Sequence, residues 1–169
     1  MTALTCFTAY DIRGRLGADL NEDIARRVGR AFAEVLHTRR VVVGRDCRAS
    51  SPSLMASVIE GLLQVGVEVI DLGLCGTEEM YFATTHLDAD GGIEVTASHN
   101  PMDYNGMKMV RAGSAPLDAA TGLARIRALA EADDFGPARP GGTRRDVAAE
   151  ARAAYVQTVM SFVSVPALS

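Results

Sequence analysis

Lysine is nearly absent from this sequence: Lys108 stands alone against sixteen arginines. A lysine, unlike an arginine, titrates and can pass on a proton, so position 108 attracts attention as chemistry. Cysteine is scarce and odd in number. Cys6, Cys47 and Cys75 are far apart and form no Cys-x-x-Cys pair, which excludes a disulfide framework and suggests free thiols in a reducing compartment. The three histidines, His37, His86 and His99, lack metal-ligand spacing, and in Asp88-Ala89-Asp90-Gly91 the glycine comes too early for a calcium loop and no distal glutamate follows. No metal site built from protein groups alone is expected. No apolar run reaches the roughly 18 to 20 residues that cross a bilayer, and Asp11 and Arg13 arrive before a signal-peptide core could form. A cytoplasmic protein without membrane contact is expected. A surplus of positive charge is missing too: the net charge of −4 argues against nucleic-acid or acidic-membrane partners, so any anion site must be local.

What is present is a chain of 169 residues, 48% apolar and 22% charged, able to bury a core in one domain with a further piece attached. Phe7 to Arg15 starts extended and is expected to break at Gly14 and Gly17. Asn21, followed by Glu22 and Asp23, opens a helix over about 21–37, with Ile24, Val28, Ala31, Phe32 and Val35 on one face. Arg40 to Gly44 reads as a buried strand, Ser50 or Ser51 as the cap of a helix carrying Leu54, Val58 and Leu62, and Val67 to Gly73 as the next strand. A third helix starts at Thr77, and a strand through Ile93 and Val95 leads to Ser98. Gly106 to Val110 follows too soon for a helical crossover and must run antiparallel. The expected fold is α/β, a three-layer α/β/α arrangement on a mixed, mainly parallel sheet. Leu117 to Ala132 reads as a helix, residues 136–146 as a linker, and 147–169 as the opening helix of a second, truncated domain; residues 1–135 form the first.

Ligands of such sheets gather beyond the carboxyl ends of the strands. There lie loops carrying Arg13, Arg15, Arg45, Arg48, Lys108 and Arg111, which would make a cationic rim suited to a phosphate. Ser98 stands at a strand tip, where Pro101 keeps Asn100 out of helix. A serine-hydrolase reading fails: Gly-x-Ser-x-Gly is absent, and the side chains of Ser98 and His99 would diverge in extended chain. A serine that holds and returns a phosphoryl group suits the setting.

The run Thr96-Ala97-Ser98-His99-Asn100-Pro101-x-x-x-Asn105-Gly106-x-Lys108, with Ala9-Tyr10-Asp11-Ile12-Arg13-Gly14 and Gly44-Arg45-Asp46-x-Arg48, resembles the α-D-phosphohexomutase family. Cys75-Gly76-Thr77-Glu78-Glu79 further resembles the bacterial phosphomannomutases that feed GDP-mannose synthesis. The resemblance covers essentially the whole chain, in the family's order. It implies that Ser98 carries the phosphoryl group, that Lys108 and Arg13 act beside it, and that Tyr10, His99, Asn100, Arg45 and Arg48 contact substrate or phosphate. It also implies Mg2+ bound through the Ser98 phosphate, hexose 1,6-bisphosphate as activator, and interconversion of hexose 1-phosphate and 6-phosphate.

That family builds its site from four domains, and this chain resembles the first plus the opening helix of the second. The metal loop, the sugar-selecting loop and the last phosphate-binding domain have no counterpart here. The remaining domains are therefore the expected partners, and the chain alone is expected to be nearly inactive. The alternative is a non-catalytic phosphate-binding or interaction module. The terminal helix, deprived of its domain, is expected to pack on this one, dock on another copy, or fray.

Overall fold

Two glycines decide how closely the first two helices approach. In the computed structural model, which describes residues 3–163, α1 (Glu22–Leu36) starts where its cap lies, the Asn21 side chain accepting from the Ile24 N–H at 2.9 Å. It ends on His37, whose left-handed backbone returns an N–H to the Ala33 carbonyl. After β2 (Arg40–Arg45) comes α2 (Ser51–Leu63). Gly29 of α1 and Gly61 of α2 lie against each other's helix: a β-carbon on Gly61 would fall inside the Arg26 carbonyl, and one on Gly29 inside that of Val58. Backbone meets backbone at this crossing, which brings both apolar stripes onto one face of the sheet.

The strands β3 (Glu68–Leu74), β4 (Gly91–Val95), β5 (Tyr104–Arg111), β6 (Ala115–Pro116) and β7 (Thr143–Asp146) join β1 (Ile12–Arg15) and β2 in one seven-stranded sheet. Its order is β1-β5-β4-β2-β3-β7, with β6 paired to β5. Pairs β4–β2, β2–β3 and β3–β7 are parallel, while β5 runs antiparallel to β4 and β1, so the expected mixed, mainly parallel sheet is what forms. One face buries Phe32, Val28, Leu54, Leu62, Ile93 and Met107 under α1, α2 and α4 (Ala124–Ala132). The other buries Val42, Ile70, Met80 and Val110 under α3 (Thr77–His86), with Val147 and Ala151 arriving from α5 (Ala148–Ser161). Helices on both faces complete three layers.

Several local expectations are corrected. Gly14 does not break the first strand; it pairs with Asn105 inside it, and the chain turns at Gly17, where φ is +79°. Neither Ser50 nor Ser51 caps α2 through its side chain, because both hydroxyls face Asn105, whose Nδ2 donates to them at 2.8 and 2.9 Å. The single helix expected over 117–132 starts as a π turn at 119–123 and becomes α-helical only at Ala124, because Gly122 sits at φ +149°. Residues 143–146 of the expected linker form β7, held by the ladder to β3 and by Arg144 on Asp71 at 2.5 Å.

The terminal helix packs on this domain, through the Phe82–Tyr155 ring pair (centroids 5.6 Å apart) and Arg152 on Glu79 at 3.0 Å. Burial then fades along its stripe. Ala151 is buried, Tyr155 half-buried, and Val159 and Phe162 are exposed. Residues 164–169 of the expected second-domain segment lie outside the described residues.

Gly61→Ala should be the clearest test of the α1–α2 crossing. A methyl group forced into a backbone carbonyl must separate the helices, at a cost of about 1–3 kcal/mol. Urea unfolding should show a lower midpoint with unchanged slope; an unchanged midpoint would mean that the crossing is looser than described.

Candidate active site

The polypeptide leaves β4 at Val95 and immediately makes a tight loop whose every turn is hydrogen-bonded. Ser98 has φ +53°, a left-handed conformation costly for a side-chain-bearing residue, and its N–H donates to Thr96 Oγ1 at 2.9 Å. Three donors converge on the Ala97 carbonyl: the Asn100 N–H at 3.0 Å, Asn100 Nδ2 at 2.8 Å, and Arg13 Nη1. Ser98 and His99 are left exposed at the tip. Gly106 makes the close approach possible, since a β-carbon there would strike the Ile12 carbonyl on one side and crowd that of Thr96 on the other.

Arg48 clamps this loop from beneath. It is 7% exposed, and four of its five N–H groups donate to carbonyl oxygens. Nη2 donates to the carbonyls of Ser98 (3.0 Å) and Asn100 (2.6 Å), Nη1 to those of Pro101 (2.8 Å) and Tyr104 (3.1 Å), and Nε faces Asp46 Oδ2 at 3.3 Å. The four Nη N–H groups are thus spent on loop carbonyls. Arg48 thereby shapes the loop.

Asp11 holds the other cations. Its Oδ2 accepts from Arg13 Nε at 3.0 Å, lies 2.9 Å from Arg13 Nη2 and 3.7 Å from Lys108 Nζ, while Oδ1 accepts from Thr8 Oγ1 at 2.7 Å. Arg13 and Lys108 thus share one carboxylate on the α3 face of the sheet. Tyr10, 74% exposed, and Lys108 line a cavity of about 220 Å3 with Tyr81 and Ser114. The expected rim of six cations is not assembled. Arg45 lines a different cavity, against α2 with Pro52 and Met55; Arg15 pairs with Asp103 at 3.1 Å; Arg111 donates to the Pro116 carbonyl. Asp11 was absent from the sequence-derived site, although it sits inside the Tyr10–Gly14 motif.

One geometric expectation reverses. Ser98 Oγ lies 3.2 Å from His99 Nδ1, because the left-handed backbone at Ser98 turns neighbouring side chains toward each other instead of apart. A triad still does not form: among the described residues no third group orients the imidazole. Nor do any three His, Cys, Asp or Glu side chains there gather to hold a metal ion.

Beneath the site lies Glu94, fully buried on β4, with Oε1 unpartnered among the described residues and Oε2 accepting from the Cys75 thiol at 3.3 Å. Burial pushes its carboxyl up to about 8; the thiol hydrogen bond opposes this, and the charges of Asp46, Glu79 and Glu78 add to it. Burial first, then Glu94, pushes the Cys75 thiol up as well.

Two outcomes follow. In the unfolded chain Glu94 ionises near 4.5, so between pH 4.5 and about 8 the unfolded state releases a proton that the folded state keeps. Stability from this group is therefore fullest below that window and falls by about 1.4 kcal/mol per pH unit across it. Urea midpoints should show the decline in the native protein and a shallower one in Glu94→Gln. Replacing the four-carbonyl clamp by Arg48→Lys should cost about 2–4 kcal/mol and speed amide exchange over residues 98–104, where carbonyls lose their buried donor; protection equal to wild type there would refute the clamp.

Residues 5–137 match the family described as phosphoglucomutase/phosphomannomutase, alpha/beta/alpha domain I. A phosphomannomutase of Salmonella typhimurium strain LT2 is 54% identical over 167 residues, covering 98% of this chain and 36% of that protein. One from Klebsiella pneumoniae is 57% identical over 149 residues, covering 87% of this chain and 95% of that shorter relative. A crystal structure of a phosphoglucomutase/phosphomannomutase family protein from Burkholderia thailandensis superposes with a TM-score of 0.81 at 34% identity, over 95% of this chain and 36% of that one. The chain thus spans about a third of the length of the Salmonella and Burkholderia proteins. With residues 5–137 matched to that domain, and over half its residues shared with the Salmonella enzyme, the chain belongs to the phosphoglucomutase/phosphomannomutase family.

Proposed function

We propose that this chain is the catalytic-serine domain of a phosphomannomutase or phosphoglucomutase, which interconverts hexose 1-phosphate and hexose 6-phosphate through a phosphoserine and a hexose bisphosphate. The observation that carries the reading is Ser98 itself. Its hydroxyl is exposed on a loop whose backbone is fixed from below by Arg48 and from the side by Arg13. A hydroxyl held this way needs little reorganisation to meet a phosphorus atom.

In this reading the bond from Ser98 Oγ to phosphorus breaks as a sugar hydroxyl attacks, and the proton of that hydroxyl ends on Ser98 Oγ, giving the bisphosphate and the free serine. After the sugar turns over, the reverse transfer from the other position restores the phosphoserine. Arg13 and Lys108 stand beside the transferring group and offset its charge, leaving Asp11 as they do so; Tyr10, His99 and Asn100 shape the entrance. Arg45 reaches phosphate only at the margin, given its place against α2. Mg2+ would supply charge neutralisation of the phosphoryl oxygens. This chain offers it one donor, an oxygen on Ser98, so the other ligands belong to the remaining domains.

Residues 1–135 then act as the first domain, and α5 leads into the next, its exposed Val159 and Phe162 facing that way. Alone, the chain contacts phosphate without turnover. The mannose-directed reading is supported by the phosphomannomutase names of its relatives, and a role in GDP-mannose biosynthesis is part of the same proposal. The cytoplasm suits three free cysteines. Among the described residues no helix is long and apolar enough to cross a membrane.

The test is phosphosite mapping of the polypeptide extended by its remaining domains, incubated with hexose 1,6-bisphosphate and Mg2+. Phosphate should appear on Ser98. Ser98→Ala should reduce turnover by about three orders of magnitude or more while leaving sugar-phosphate binding largely intact, because only the covalent carrier is removed. Phosphate found only at other residues, or wild-type turnover in the alanine variant, refutes the reading.

A further inference from the structure

At the amino ends of the parallel strands, the end of the sheet away from Ser98, lies a cavity of about 580 Å3. It is more than twice the volume of the one at Tyr10 and Lys108, and falls in the range of small-molecule sites. Its walls are built from three chain segments tied by backbone: the turn from α1 into β2, the turn from α2 into β3, and residues 136–139. The left-handed His37 ends α1, the Arg139 N–H donates to the Gln64 carbonyl at 2.8 Å, and Arg30 reaches across to the Gly136 carbonyl.

The charge in this cavity is out of balance. Arg39 and Arg139 both line it, and among the described residues neither guanidinium has a hydrogen-bond acceptor or a carboxylate partner, whereas eleven of the sixteen arginines do form ion pairs. The carboxylate on the wall, Glu34, is engaged with Arg30 at 3.2 Å. Asp90, just below Arg39, already accepts the N–H groups of Arg39 and Arg40 at 2.7 and 2.9 Å. Thr38, also on the wall, is 8% exposed and its hydroxyl has no partner among the described residues. A buried hydroxyl left unpaired costs free energy that a ligand oxygen would recover. Ala33, Val65 and Pro137 supply an apolar side.

We propose that this cavity binds a phosphomonoester of about mononucleotide size, its phosphate held by Arg39 and Arg139 and its organic part resting on Ala33, Val65 and Pro137. Two unengaged guanidiniums on one cavity wall suit a dianionic phosphate, because each can donate two parallel hydrogen bonds. The site is separate from the phosphoryl-transfer centre, roughly 20 Å away by the rise of a strand of this length. It does not depend on the reaction proposed for Ser98.

The test is a titration of the isotope-labelled chain, at constant ionic strength, with inorganic phosphate and with a nucleoside 5′-monophosphate, followed by amide NMR. Saturable shifts are expected at Thr38, Arg39, Gly66 and Gly136, with the nucleotide binding more tightly than phosphate. In Arg39→Gln/Arg139→Gln, whose substituted side chains are exposed, these affinities should fall by about tenfold or more, while shifts of the Ser98 loop persist. An unperturbed spectrum elsewhere in the variant shows that the fold is retained; the single Arg39→Gln variant serves if it is not. Shifts confined to the Ser98 loop, no saturation up to millimolar ligand, or equal affinity in native and variant protein would each overturn the proposal. Equal affinity for phosphate and nucleotide would overturn the assignment of the apolar wall.

Discussion

The Arg48 clamp is the constraint on which the site depends. One guanidinium, nearly sealed from water, binds four carbonyl oxygens drawn from residues 98 to 104 and is neutralised by Asp46. Charge-assisted hydrogen bonds in a low-dielectric setting are strong, and an arginine buried without such partners would be prohibitive. Folding of the loop and burial of the cation are therefore a single event. Asp46 carries a second duty: its Oδ1 accepts from the Arg48 N–H at 3.0 Å and from Ser51 Oγ at 2.5 Å, tying the clamp to the start of α2. Asn105 completes the link by donating to Ser50 and Ser51 from β5.

Above this neutral scaffold the chemistry is separated by the sheet. Residues 92, 94, 108 and 110 share the α3 face with Arg13, whereas Ile93, Val95 and Met107 face α1 and α2. Arg13 and Lys108 can meet at Asp11 because β1 and β5 are direct neighbours, in a register that pairs Arg13 with Gly106, two residues before the lysine. Asp11 keeps two cations together that would otherwise repel. An arriving dianion would find them gathered, at the cost of displacing one carboxylate.

Much of this was legible in the sequence, for identifiable reasons. Asn21 with its acidic neighbours marks a helix start through local chemistry alone, and the cap bond to Ile24 forms as read. The β-branched run at 41–43 can only be a covered strand. What was hidden depends on distant partners. Arg48 stands out in the sequence as a cation in a motif, but only the fold shows four carbonyls from fifty residues away closing on it. The sequence Thr143-Arg144-Arg145-Asp146 has no apolar residue on either face, so periodicity is silent, and it becomes a strand through a backbone ladder and ion pairs to Asp71 and Glu68. The Ser98–His99 proximity rests on one positive φ, which no pattern of residue types encodes.

That last strand also guards an edge. β3 carries Val69, Ile70 and Leu72, and without β7 its row of amides and carbonyls would lie open along an apolar strand, a template for pairing with another chain. With β7 in place, the rim of the sheet presents two arginines and an aspartate, which repel a second copy approaching in register. Cover of this edge therefore resides in four exposed residues with no apolar side chain among them. A chain ended at residue 142, just short of that rim, would lose Val147 and Ala151 from the second core layer and leave β3 open to filamentous or amorphous self-association.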